Sequence, residues 1–238
     1  MSLFWNTQAS GGETAPSSLL VRRSIRKYLD EPVPDKLVEQ VLAEARWAPS
    51  ARNTQSTHVY VLSGRPFDKF KNDLHKYSEK DVPVVSDLPM GTRWTPPQEA
   101  RITELMDIRS TWCAAEEERR GLEPTPPPAN PMVAGAAIHG APLMLVLAFD
   151  TAISVHTGCF DAGIFAMAIT LAAHERGLGT CIVGSAVRYS ELVHKHVPGL
   201  ENKSVVMGIA LGYPDTEAPI NLFPRSRARL EEYVTFVR

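Results

Sequence analysis

The sequence predicts an α+β or α/β fold, and three observations carry that expectation. Short β-branched runs and runs of helical period mix along the 238 residues. One run, APLMLVLAFD at 141–150, has no polar side chain between Pro142 and Asp150, as a strand buried on both faces requires. Another, 159–176, is apolar on nearly every side of a helix, which places it in the middle of a protein. A sandwich would lack this helix and a bundle would lack these strands.

The elements follow in order. Ser17 and Ser18 offer caps for a short helix running to about Arg23. Leu37, Val38, Val41, Leu42 and Ala45 recur at helical spacing and Pro49 stops the pattern, which predicts a helix over 35–47. HVYVLS, 58–63, is a strand bounded by Gly64. Phe67, Phe70, Leu74 and Tyr77 form the apolar side of a second helix. After the strand at 141–150, the helix 159–176 meets Gly177 where a C′ glycine would end it. TCIV, 180–183, is a short strand, and RYSELVHKHV is a helix that Ser190 caps only if it begins late. KSVVMGIALGYP, 203–214, is a last buried strand, stopped by Gly212 and Pro214.

One segment breaks this rhythm. Residues 78–131 contain nine prolines around a helical stretch, 98–120, with Ile102, Leu105, Met106, Trp112 and Cys113 on one side. It reads as an insertion in a single domain, 18–238, which follows a polar arm at 1–17.

Composition excludes several function classes. The formal net charge is −2, with 44% apolar and 22% charged residues, and this near-neutral balance argues against general nucleic-acid binding, which usually needs a basic stripe. Cys113, Cys159 and Cys181 form no C-x-x-C pair and are expected as small buried hydrophobes in a reducing, cytoplasmic setting. No apolar run is expected to cross a membrane, and the first residues show no signal peptide. His194 and His196 stand two apart on a helix and diverge, no H-x-x-x-H occurs, and no metal site is expected. No G-x-S-x-G elbow is present. GLGTCIVGS, 177–185, has the wrong glycine spacing for a dinucleotide loop, and its helix precedes its strand, so on spacing alone it is a helix-ending turn.

Without a self-sufficient catalytic set, a bound cofactor is the expected carrier of any chemistry. Arg22, Arg23, Arg26 and Lys27 crowd six positions around Ser24, and Arg225 and Arg227 form a second cationic pair. Guanidinium groups bind phosphate bidentately. Solvated clusters facing Asp30, Glu31, Glu231 and Glu232 would look the same on charge alone.

The combination of RRSIRKYLDEPVPDKLVEQVLAEARWAPSARNTQ, HGAPLMLVLAFD, DAGIFAMAITLAAHERGLGTCIVGS, VVMGIALGYP and PRSR, in that order, resembles the FMN-dependent nitroreductase family over about residues 18–75 and 133–230. The resemblance implies an α+β nitroreductase-like fold: a central mixed β-sheet flanked by helices, with a long buried helix, in an intertwined homodimer. It implies FMN as cofactor and NADH or NADPH as donor, with a small aromatic acceptor, nitroaromatic or quinone-like, reduced by a ping-pong hydride mechanism. It places Arg22, Arg23 and Ser24 on the FMN phosphate and ribityl chain, and Arg26 near the pyrimidine edge. Pro49, Ser50, Ala51 and Asn53 match a loop that reaches the partner subunit's flavin. Val183, Gly184 and Ser185 match a turn whose backbone N–H faces flavin N5, and Arg225 and Arg227 match a C-terminal phosphate clamp. No side chain is expected as a catalyst, since flavin N5 carries the chemistry. Ser56-Thr57 departs from the family's usual Pro-Trp. Arg93, Trp94, Arg109 and Trp112 of the insertion are the candidates for acceptor choice. The same fold also serves dehalogenation and enoate or flavin reduction, and a non-catalytic FMN-binding protein would carry the same cations.

Overall fold

The computed structural model describes residues 17–89, 91, 94–126 and 130–238; the arm at 1–16 and Arg93 lie outside the described residues. The elements are α1 (Ser18–Val21), α2 (Asp35–Ala45), β1 (Thr57–Ser63), α3 (Gly64–Glu79), α4 (Pro96–Arg120), α5 (Pro131–Gly135), β2 (Leu143–Asp150), α6 (Val155–Glu175), β3 (Gly179–Val183), α7 (Ser190–His196), β4 (Lys203–Gly212) and α8 (Pro219–Leu222). They fall into two compact units, one of residues 1–90 and 128–216 and one of 91–127 and 217–238.

The first unit is built on a four-stranded sheet of order β1-β2-β4-β3. Because β2 alternates faces, it feeds two cores. Met144, Val146 and Ala148 pack with Phe67, Phe70 and Leu74 of α3 and with Leu192 and Val193 of α7. Leu143, Leu145 and Leu147 pack with Val38, Val41 and Ala45 of α2 and with Ala166, Ile169 and Ala173 of α6. All of β2 except Asp150 is buried, as its unbroken apolar run requires.

Three features differ from those expected of the sequence. The sheet is not mixed: every pairing among the four strands is antiparallel. β2 and β3 do run the same way, but β4 lies between them, so parallel pairing survives only at single bridges such as Ser24 to Thr180. The long helix is not buried all round. Asp161, Ala162, Ala166, Ile169 and Ala173 face the protein, whereas Phe160 is 65% and Met167 36% exposed. The same helix is also long and apolar enough to cross a membrane by length and composition, contrary to the expectation that no run is. It begins four residues earlier than the apolar pattern, because the Ser154 hydroxyl accepts from the Thr157 N–H.

Smaller differences are local. Helix α2 stops at Ala45, two residues short of 47, and Ser190 is the first residue of α7 rather than its cap. The Ser190 N–H and hydroxyl both donate to the Val85 carbonyl, at 2.9 and 3.1 Å, which ties the segment before Met90 to the first unit. Cys181 is buried, but Cys113 and Cys159 are only half-buried.

Gly158 fixes how closely α6 lies on the sheet. A Cβ there would stand 2.4 Å from the ring of Phe149, which is fully buried. Gly158→Ala is therefore expected to cost about 2–3 kcal/mol through overpacking. Chemical denaturation measures it, and a loss under about 0.5 kcal/mol would mean that the ring can tip aside freely.

In the second unit, Thr95 and Gln98 form a capping box at the start of α4, and Gly121 ends it with a left-handed φ of 63°. Arg101 pairs with Glu232 at 2.7 Å, and Arg120 donates to the Glu217 carbonyl at 2.7 Å, so the C-terminal segment lies along α4.

Candidate functional site

The cationic segment 22–26 owes its position to β3. Helix α1 closes as the Arg22 N–H donates to the Ser18 carbonyl at 2.9 Å. Ser24 then bridges to Thr180, and the Ile25 N–H donates to the Thr180 carbonyl at 2.9 Å. Ile25 is fully buried and leaves no room behind it, since a Cβ at Gly179 would stand 2.6 Å from its Cγ1. This anchor holds Arg22, Ser24 and Arg26 on an outer edge of the sheet. Arg23 is 7% exposed, and Arg26 donates to the Ser24 carbonyl at 3.2 Å.

A positive field marks this edge. Burial pushes the Cys181 thiol up, while Arg26 and Arg22 pull it back toward ionisation. Burial and then the Arg22 charge hold His174 below its ordinary value. Both arginine charges thus reach Cys181 of β3, and Arg22 also reaches His174 of α6.

β3 ends at Val183 and runs straight into Gly184 and Ser185, so this turn stands at the far end of the strand that Ser24 bridges. Gly184 needs neither a left-handed backbone nor space within its own chain: a Cβ there would meet only Met207, at 3.6 Å. A glycine that the chain's own packing does not demand fits a backbone approached closely by a flat group. The Arg188 Nε donates to the Ser185 carbonyl at 3.1 Å and fixes this turn, a role that no sequence pattern signalled. Cations on one side of the strand and a bare turn at its end fit a phosphate-bearing planar cofactor.

The loop that carries Pro49, Ser50, Ala51 and Asn53 is held elsewhere. Asp161 of α6, 2% exposed, accepts from the Ala51 N–H at 3.1 and 3.3 Å and from the Ser56 hydroxyl at 3.1 Å. The Ser50 hydroxyl accepts from the Gln55 N–H at 2.9 Å. Asp161 is the only acid in GCFDAGIFAMAITLAA, and that isolation was the available signal for its role. Ser56, which departs from the family's usual residue, is one of its partners.

Sheet geometry separates this loop from the arginines of its own chain. Ser24 is level with Thr180, Leu211, Leu143 and, at the far edge, Ser63. The loop enters β1 at Thr57, the opposite end of that strand. Four strand spacings and six residues of rise put the two about 19 Å apart across the sheet and about 20 Å apart along it.

The remaining candidates belong to the second unit. Arg225 is half-buried, and Arg227, which donates to the Ser226 carbonyl at 2.6 Å, lines a groove of about 640 Å³ with Arg101, Glu104 and Leu105. Trp94 is 62% exposed. Arg109 donates to the Met106 sulfur at 3.1 Å, and the buried Trp112 Nε1 has no acceptor among the described residues.

Known proteins resemble this chain over almost its whole length. The nitroreductase family profile matches residues 19–213. The chain is 25% identical over 219 residues to a 4-nitrobenzoate reductase of Pseudomonas putida, covering 91% of this chain and 92% of that protein. It is 28% identical over 229 residues to a 4-nitrobenzoate reductase of Nocardioides sp. (strain LMS-CY), covering 91% and 87%. Among solved structures, the FMN-dependent nitroreductase NfnB from Mycobacterium smegmatis, in complex with NADPH, superposes with a TM-score of 0.78 at 25% identity, covering 93% of this chain and 96% of that one.

Proposed function

The chain belongs to the nitroreductase family, and on that premise we propose that it is an FMN-dependent oxidoreductase that reduces nitroaromatic acceptors with NADPH or NADH. The observation that carries this reading is the arginine edge: residues 22–26 are locked beside β3, which ends in the bare Gly184 turn. Bound FMN would supply the hydride-accepting and hydride-donating chemistry.

The chain's residues bind and orient. Arg22 and Ser24 hold the phosphate with charge-assisted hydrogen bonds, and Arg23, which is buried, is assigned to it on the family resemblance alone. Arg26 offers a cation toward the pyrimidine edge, where negative charge develops. Val183, Gly184 and Ser185 present backbone to the ring, and Arg188 keeps that turn in place. Arg225 and Arg227 are assigned to the phosphate on the family resemblance. Acceptor choice is assigned to Trp94, Arg109 and Trp112, together with Arg93; the wide exposed ring of Trp94 supports it.

The working unit is a homodimer in this reading. One chain holds its loop at 49–53 far from its own arginines, so that loop serves the flavin of a second copy. The exposed stripe of α6, with Phe160, Gly163 and Met167 at helical spacing, is an apolar face that a second copy would cover. A reducing, cytoplasmic setting agrees with three free thiols.

Steady-state oxidation of NADPH and NADH by the FMN-loaded protein, with and without nitrobenzene, tests the function. Acceptor-dependent oxidation is expected. No stimulation by nitroarenes or quinones would leave a flavoprotein of other chemistry or a non-catalytic FMN binder.

A further inference from the structure

Arg52, Asn53 and Gln55 have φ values of 51°, 59° and 51°, and none is glycine. Long side chains are sterically disfavoured in this region, where glycine is at home. The loop keeps the shape because it is fastened from both sides. Asp161 takes the Ala51 N–H and the Ser56 hydroxyl, and inside the loop the Asn53 N–H donates to the Ser50 carbonyl at 3.0 Å. Asp161 itself is a buried carboxylate on a helix whose neighbouring residues are apolar, a costly placement unless it holds something.

This fastening puts forward the Arg52 side chain. It is exposed, and among the described residues it makes no ion pair or hydrogen bond. Pro49 and Ala51 of the same loop are exposed small apolar residues. A flat cation next to apolar surface suits an aromatic ring that bears a carboxylate, since the guanidinium plane matches that group bidentately.

We propose that Arg52 binds the carboxylate of an aromatic electron acceptor, and that Asp161 is the positioning residue that presents it. The proposal rests on the reading that this loop borders a flavin. A phosphate of the nicotinamide donor offers similar anionic oxygens, and the test separates the two.

The FMN-loaded dimer is assayed with 4-nitrobenzoate, with nitrobenzene and with varied NADPH. Arg52→Gln is expected to raise KM for 4-nitrobenzoate by about tenfold or more, the scale of one charged hydrogen bond, while KM for nitrobenzene and for NADPH stays within about twofold. Asp161→Ala should lose selectivity for the carboxylate in the same way. Asp161→Asn, which keeps an acceptor for the Ala51 N–H, should recover most of it. Benzoate, which has no nitro group to reduce, is also titrated against the oxidised holoenzyme by flavin absorbance, and Arg52→Gln should bind it about tenfold more weakly. Equal KM changes for the two nitroarenes, a rise confined to NADPH, or benzoate binding indifferent to Arg52→Gln would each overturn the proposal. Benzoate binding that depends on Arg52, in an enzyme that reduces no nitroarene, would instead defeat the nitroreductase reading and leave this site standing.

Discussion

Arg22→Ala is expected to lower FMN affinity by about ten- to a hundredfold. Each charge-assisted hydrogen bond to phosphate contributes roughly 1.5–3 kcal/mol, and alanine can replace neither its charge nor its planar geometry. The segment itself should stay in place, because Ile25, not Arg22, is its buried anchor, and the Ile25 N–H bond to Thr180 is untouched. Loss of affinity should therefore come with nearly unchanged folding. Two neighbours give an independent readout: removing the Arg22 charge should raise the pKa of His174, which that charge holds down, and should raise that of Cys181 further. Fluorescence titration of the apoprotein with FMN, alongside histidine titration by NMR, measures both. Arg225→Ala should weaken FMN in the same titration if the C-terminal cations serve the phosphate. An Arg22→Ala protein that binds FMN as tightly as wild type would remove the phosphate from this edge.

The second large effect concerns the exposed stripe of α6. Phe160 and Met167 are two helical turns apart on one face. A carboxylate at each, Phe160→Glu with Met167→Glu, leaves the inward face of Ala162, Ala166 and Ile169 as it is. The single chain should fold, since the new charges point to water. A dimer that buries this stripe should not form, because an unpaired charge in an apolar interface costs several kcal/mol. FMN should be lost with the dimer, for the loop at 49–53 then has no partner's flavin to reach. Light scattering with flavin absorbance in the same run tests it. A double variant that stays dimeric and yellow would place the interface on another face.

Much of this was legible in the residues, and what was not has physical causes. The strand at 143–149 and the helix behind it could be read because burial writes itself into long apolar runs. Their arrangement could not: whether β2 and β3 touch depends on where β4 inserts, and 203–214 reads equally well beside either neighbour. The apolar circumference of α6 was legible, but a face that packs on a sheet and a face left bare in one chain look alike in a sequence. For the site, the crowd of arginines stood out, whereas its attachment to β3 rests on a pairing between Ser24 and Thr180 that is remote in the chain. The 50–56 loop was the least legible. Its left-handed backbone sits at Arg52, Asn53 and Gln55, where no glycine announced it, and its anchor is a single acid in an apolar helix.

In the proposed function, one FMN per chain, held at the arginine edge, passes hydride from a nicotinamide to a nitroarene. Anaerobic stopped-flow absorbance of the reconstituted protein tests it most directly, in two separate half-reactions. NADPH or NADH is expected to bleach the whole flavin band, and a nitroarene, added after the nicotinamide is consumed, to restore it. A flavin that the nicotinamides leave oxidised, or one that is bleached and then stays bleached before every nitroarene, would contradict it.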